Sequence, residues 1–205
     1  MPAQSLPTEA LVLLRRPPAE NFQSYTVFSA EHGALTVLQR LARKSASTSI
    51  TLDLFDEVSL LLESSNQGRT WFVKEVTLIT RHPNLGRSYE TLRHVSALGA
   101  LIARNPVHEE SRTAVAELLR LAFVAFAASG RPDIVFFKSL YRFARDEGYP
   151  LKQHWFPTLP EADRETVATL LNRPLAEQAI EPAAVTRLQH RLEDYLRGHT
   201  EILLD

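Results

Sequence analysis

His82-Pro83-Asn84-Leu85-Gly86 is the stretch on which the fold turns. Proline and glycine both disfavour the interior of a strand or helix, so the five residues read as a connection. The hydrophobic period differs on its two sides. Upstream, Phe22-Gln23-Ser24-Tyr25-Thr26-Val27-Phe28-Ser29 alternates, with Gln23, Tyr25 and Val27 on one face and Phe22, Ser24, Thr26 and Phe28 on the other. Downstream, Leu92, Val95, Leu98, Leu101 and Ile102 fall on one stripe of a 3.6-residue period.

Working outward, the upstream part predicts five short strands over residues 9–16, 22–29, 34–41, 52–63 and 70–80. Pro17-Pro18 interrupts the ladder, and Glu31-His32-Gly33 and Ser64-Ser65-Asn66-Gln67-Gly68 supply turns. Strands this short and this closely spaced suit a small barrel of OB type. The downstream part predicts helices over 88–104, 109–128, 132–147, 158–172 and 182–197. The second, apolar nearly all round between Leu118 and Phe126, is expected at the buried centre. Thr158-Leu159-Pro160-Glu161 reads as a capping box, and Gly148 and Pro150 stop the third helix. The expected class is α+β: a five-stranded OB-type barrel over residues 1–82, then a helical bundle over 83–205.

Composition removes several function classes. The chain has 205 residues and no cysteine, so disulfides, thiolate nucleophiles and cysteine zinc sites are excluded. No window nears the apolar length of a transmembrane helix, so no membrane partner is expected. The opening Met1-Pro2-Ala3-Gln4-Ser5-Leu6-Pro7 lacks the basic and apolar regions of a secretory signal, and a cytoplasmic location is expected. The seven histidines are scattered, without metal-ligand spacing, and no metal or cofactor is expected. No nucleophile elbow or phosphate-binding glycine loop occurs, so no enzyme activity is expected. Formal charge is -1, which means that any nucleic-acid contact must come from local clustering of cations.

One such cluster is Arg40, Arg43 and Lys44, beside the hydroxyl-rich Ser45-Ala46-Ser47-Thr48-Ser49. Cations and hydroxyls on a loop are what phosphate contact requires. Tyr25 and Phe28 point to opposite faces of the second strand. Tyr25 is expected to be the outward one, a platform for a base, because Phe22 and Phe28 share the other face. Trp71 and Phe72 are expected in the core.

Further segments carry a resemblance. A strand ends in paired arginines, Leu13-Leu14-Arg15-Arg16, followed by a loop with Glu20. The next strand leads into Glu31-His32-Gly33, and a third runs into the basic Leu41-Ala42-Arg43-Lys44-Ser45. In the helical part, Phe136-Phe137-Lys138-Ser139-Leu140 leads to the stop Glu147-Gly148-Tyr149-Pro150. In this order and spacing the chain resembles the bacterial RecO family of DNA repair and recombination mediators over nearly its whole length. Three departures stand out. Leu41 replaces a common glycine, residues 44–49 are short for the helix many OB folds carry there, and the family's cysteine zinc site is replaced by Leu151-Lys152-Gln153-His154-Trp155-Phe156-Pro157.

The resemblance implies a nucleoid-associated binding protein. It would contact single- and double-stranded DNA through Arg15, Arg16, Tyr25, Arg40, Arg43 and Lys44. It would promote annealing and act with RecR to load recombinase on gaps coated by single-stranded-DNA-binding protein. The acidic, Phe-ended tail of that protein would dock on the helical part, where Arg104, Arg112 and Arg120 are the expected contacts. The alternative is an OB-plus-helices scaffold with little DNA affinity, which the neutral charge and missing cysteines favour.

Overall fold

The computed structural model describes residues 4–19, 21–41, 50–64, 68 and 70–204. Five strands come first: β1 (Gln4–Arg15), β2 (Phe22–Ser29), β3 (Gly33–Arg40), β4 (Glu57–Ser64) and β5 (Trp71–Thr80). Six helices follow: α1 (Tyr89–Arg104), α2 (Arg112–Ala128), α3 (Pro132–Asp146), α4 (Leu151–His154), α5 (Glu161–Asn172) and α6 (Pro182–His199). The chain is therefore α+β. Among the described residues no helix is long and apolar enough to cross a membrane.

The sheet closes in the order β1-β2-β3-β5-β4. Only the β3–β5 pair is parallel, through Val37↔Trp71 and Leu38↔Phe72. β1 starts earlier than expected because Gln4 to Leu11 pair with β4, from Gln4↔Ser64 to Leu11↔Glu57. Pro7 is tolerated there because β2 begins pairing only at Leu11, leaving the edge without an N–H partner to satisfy. Tyr25, Val27, Val37, Val58, Leu60 and Trp71 belong to the cluster that fills the barrel.

β4 begins at Glu57 rather than at residue 52, because the preceding segment is tied into a turn. Phe55 adopts φ 68, a region costly for a bulky side chain. It is held there by its N–H to Val12 O at 2.8 Å and by Val12 N–H to Asp56 O at 2.9 Å. The buried Asp56 carboxylate accepts from Asp53 N at 2.9 Å and from Arg81 Nε and Nη2 at 2.8 and 2.6 Å. This hydrogen bonding raises the Arg81 guanidinium above its ordinary pKa.

Two compact units share the chain. The first is Met1–His82 with Pro106–Ala116; the second is Pro83–Asn105 with Glu117–Asp205. The first unit thus takes in residues 106–116 as well as the strands. Within that unit Arg112 Nη1 donates to Glu31 O.

In the second unit α3, not α2, is the central helix. It packs on α1, α4, α5 and α6 and buries Ile134, Phe137, Leu140 and Phe143. On α2, Leu121 and Val124 are 51% and 56% exposed, so an apolar sequence all round did not mean burial all round. α1 starts as expected, with Thr91 N–H donating to Ser88 Oγ at 3.4 Å. The expected capping box at α5 is absent. Thr158 Oγ1 donates to Trp155 O at 2.6 Å instead, closing a 3₁₀ turn, and Pro160 precedes the helix. The short α4 was not expected; it delivers Trp155, 1% exposed, against Tyr141. Gly148 at φ 91 ends α3, with Tyr149 N–H donating to Ala144 O at 3.1 Å.

Candidate functional site

The end of β1, the start of β2 and the end of β3 lie at one pole of the barrel, because the three strands are successively antiparallel. Arg15 stands opposite Tyr25, Arg16 N–H donates to Ser24 O at 3.0 Å, and Arg40 stands opposite Phe22. All three arginines are exposed. None has a carboxylate partner among the described residues. The fully buried Gln23 organises this pole. Its Oε1 accepts from Arg15 Nε at 3.2 Å, and its Nε2 donates to Arg16 O. Arg43 and Lys44 lie outside the described residues.

Tyr25 corrects the sequence expectation. It is 0% exposed and fills the barrel, and its hydroxyl donates to Leu52 O at 2.8 Å. Burial pushes its phenol pKa up, and Arg15 partly offsets this. Alternation separated the two faces of β2 correctly, but the inside is the face of Gln23, Tyr25 and Val27. The outward residue at this pole is Phe22. Its half-buried ring meets Phe72 of β5 edge-on, centroids 5.5 Å apart, across β3. Phe22, Leu38 and Phe72 all lie outside the cluster that fills the barrel. Phe72 is thus on the surface side while Trp71 is core, and the expectation that both are core holds only for Trp71. The result is a half-exposed aromatic pair with Arg40 opposite Phe22, at the pole that also carries Arg15 and Arg16.

The three arginines assigned to a partner tail have separate engagements. Arg112 serves the first unit, where Nη1 donates to Glu31 O at 2.9 Å. Its Nε is buried without a hydrogen-bond partner over Gly33, where an added Cβ would sit 3.2 Å away. Gly33 has φ 69 and needs to be glycine on both grounds. Arg104, exposed, reaches Leu204 O at 3.4 Å, and Arg120 pairs with Glu117 at 3.9 Å. Arg112 was misplaced because a shared helical period says nothing about which body a helix's first turn joins.

The second unit instead carries an open groove of about 890 Å³ between α2, α3, α4 and α5. Leu118, Leu121, Leu171 and Leu175 give it apolar walls; Tyr141, Tyr149 and Phe156 add rings. Lys138, Arg142, Arg145 and Lys152 give it cations, and among the described residues no acidic one lines it. Burial lowers the Lys138 ammonium from its ordinary pKa. Sequence reading missed this groove because its cations are spaced through α3 and α4, not clustered on a loop.

Among the described residues no group of three or more histidine, aspartate and glutamate side chains converges to hold a metal. No protein-family model matches the chain, and no curated protein matches it in sequence.

Proposed function

We propose that the chain is a RecO-like DNA-binding and assembly protein whose barrel is of OB type. The strand order β1-β2-β3-β5-β4, with β1 paired to both β2 and β4, supports that type. In such barrels the face of strands two and three, with the adjoining loops, receives oligonucleotides. The observation that carries the function is at that face: the Phe22–Phe72 ring pair with Arg40 opposite Phe22, and with Arg15 and Arg16 exposed at the same barrel pole. Aromatic faces stack on bases whatever the sequence, and exposed arginines neutralise phosphates. With a net charge of -1, such contact rests on this local clustering of cations.

As a mediator the protein acts with RecR and docks the tail of single-stranded-DNA-binding protein. That tail fits the helical groove better than it fits Arg104, Arg112 and Arg120. The groove joins cations, rings and apolar walls in one concave site, as an acidic peptide ending in phenylalanine requires.

The test is a salt titration of binding to labelled single strands, with native protein and with Arg15→Glu/Arg40→Glu. Each lost phosphate contact should reduce the log–log salt slope by roughly 0.7. Binding should weaken about equally for all base sequences. Unchanged affinity at low salt in the double variant, with the native protein binding, rules out this face. Absence of binding by the native protein favours the scaffold alternative.

A further inference from the structure

We propose that Lys138 is the residue that selects for a free carboxylate in the helical groove, receiving it beside the apolar wall of Leu118, Leu121 and Leu171. This rests on the reading above that the groove takes an acidic tail.

The cations of the groove are not equivalent. Arg142 and Arg145 share one carboxylate: Asp146 takes Arg142 Nε at 3.3 Å and Arg145 Nε and Nη2 at 2.8 and 2.6 Å. They are engaged before any ligand arrives. Lys138, one turn earlier on α3, has no carboxylate at ion-pair distance among the described residues. Its Nζ donates to Arg173 O at 3.1 Å, at the end of α5, leaving ammonium donors for another acceptor. It is also half-buried, so water solvates its charge poorly. A charge that is poorly hydrated and unpaired gains most from a ligand carboxylate, whereas the Arg142–Asp146–Arg145 set would have to give up bonds. The Arg173 carbonyl does not depend on Lys138, because Gln178 Nε2 also donates to it at 3.0 Å. A Lys138 variant therefore keeps that helix end capped.

Binding should also take up a proton at alkaline pH. A ligand carboxylate raises the lowered Lys138 pKa, so affinity is constant below the free-state value and falls as pH rises through it. The other titratable groups lining the groove are Tyr141, Arg142 and Arg145 of α3, Tyr149, and Lys152 of α4; α2 and α5 contribute none. Replacing Lys138 by arginine, which stays charged, separates its share from theirs.

The experiment uses the full chain and two probes, an acidic peptide ending in phenylalanine with a free carboxylate and the same peptide amidated. Calorimetry compares the native protein with Lys138→Gln and Lys138→Arg, all checked for equal melting temperature. The native protein should prefer the acid by about tenfold to thirtyfold, the usual scale for a desolvated charge pair. Lys138→Gln should bind both peptides alike, and Lys138→Arg should keep the preference with a flatter alkaline profile. If the native protein prefers the acid and Lys138→Gln keeps that preference, another group reads the carboxylate and the assignment to Lys138 is overturned, with the groove reading intact. If neither peptide binds the native protein, the groove reading fails and takes this inference with it.

Discussion

The barrel pole and the helical groove are built from the same residue types and suit different ligands. At the pole, Arg15, Arg16 and Arg40 are exposed at strand ends, and the Phe22–Phe72 rings are half-exposed on the strand surface that carries Arg40. In the groove, Lys138 is half-buried, two arginines are tied to Asp146, and the apolar walls are concave. Exposed cations act through water and salt, so a ligand held by them should be salt-sensitive and poorly selective. A desolvated cation acts at short range, so its ligand should be selected by shape and protonation. Counting arginines and aromatics would equate the two sites; depth distinguishes them.

The largest effect should separate the two by what each costs to disturb. Trp155 is almost fully buried, follows α4, whose Leu151, Lys152 and Gln153 line the groove, and packs on Tyr141. Trp155→Ala should destabilise the protein by about 3–5 kcal/mol, as for other buried large side chains, and abolish peptide binding. Arg40→Glu, at an exposed strand end, should change stability by less than about 0.5 kcal/mol while weakening DNA binding. Chemical denaturation of both variants makes the comparison. Equal losses of stability would mean that the pole is as integral to the core as the groove.

A smaller effect tests the ring pair. Phe72→Ala removes the partner of Phe22 from the barrel surface. It should reduce affinity for single strands by about 1–2 kcal/mol and leave the salt slope unchanged, because stacking releases no counterions. An altered slope at constant low-salt affinity would assign Phe72 to positioning the arginines instead.

Much of this architecture is legible in the sequence. The change of period at His82-Pro83 marks the end of the strands, and Ser88 and Gly148 mark helix ends by their own chemistry. What is not legible depends on partners distant in the chain. Alternation in β2 cannot say that Tyr25 points inward; that follows from Leu52 O, 27 residues on, which waits for its hydroxyl. Gln23 reads as a polar surface residue, yet it is buried because Arg15 and the Arg16 carbonyl satisfy its amide. Arg112 reads as one of three helical cations, yet the turn over Gly33 takes it. The groove needs α4, whose four residues are too few to show a period.

The smallest effect concerns Tyr25 itself and would break the assignment of inside and outside. Tyr25→Phe keeps the ring in the barrel and removes only the hydroxyl that donates to Leu52 O. One buried hydrogen bond is lost and a carbonyl is left unpaired, which should cost about 1 kcal/mol at neutral pH. Binding to single strands should not change, whereas a surface stacking residue would alter binding and not stability. The variant should also differ at high pH. Burial raises the native pKa of Tyr25 above the unfolded phenol value of about 10. The unfolded chain then loses the proton first, so the contribution of the neutral phenol is intact below that value. It is lost as pH rises from there through the raised native pKa. Tyr141 in the second unit is raised by burial in the same direction, so Tyr25→Phe should remove only part of the alkaline decline. Melting curves from neutral pH to above pH ~10 show this as a shallower fall for the variant. A variant with native stability, an unchanged alkaline profile and weakened DNA binding would put Tyr25 on the outside after all.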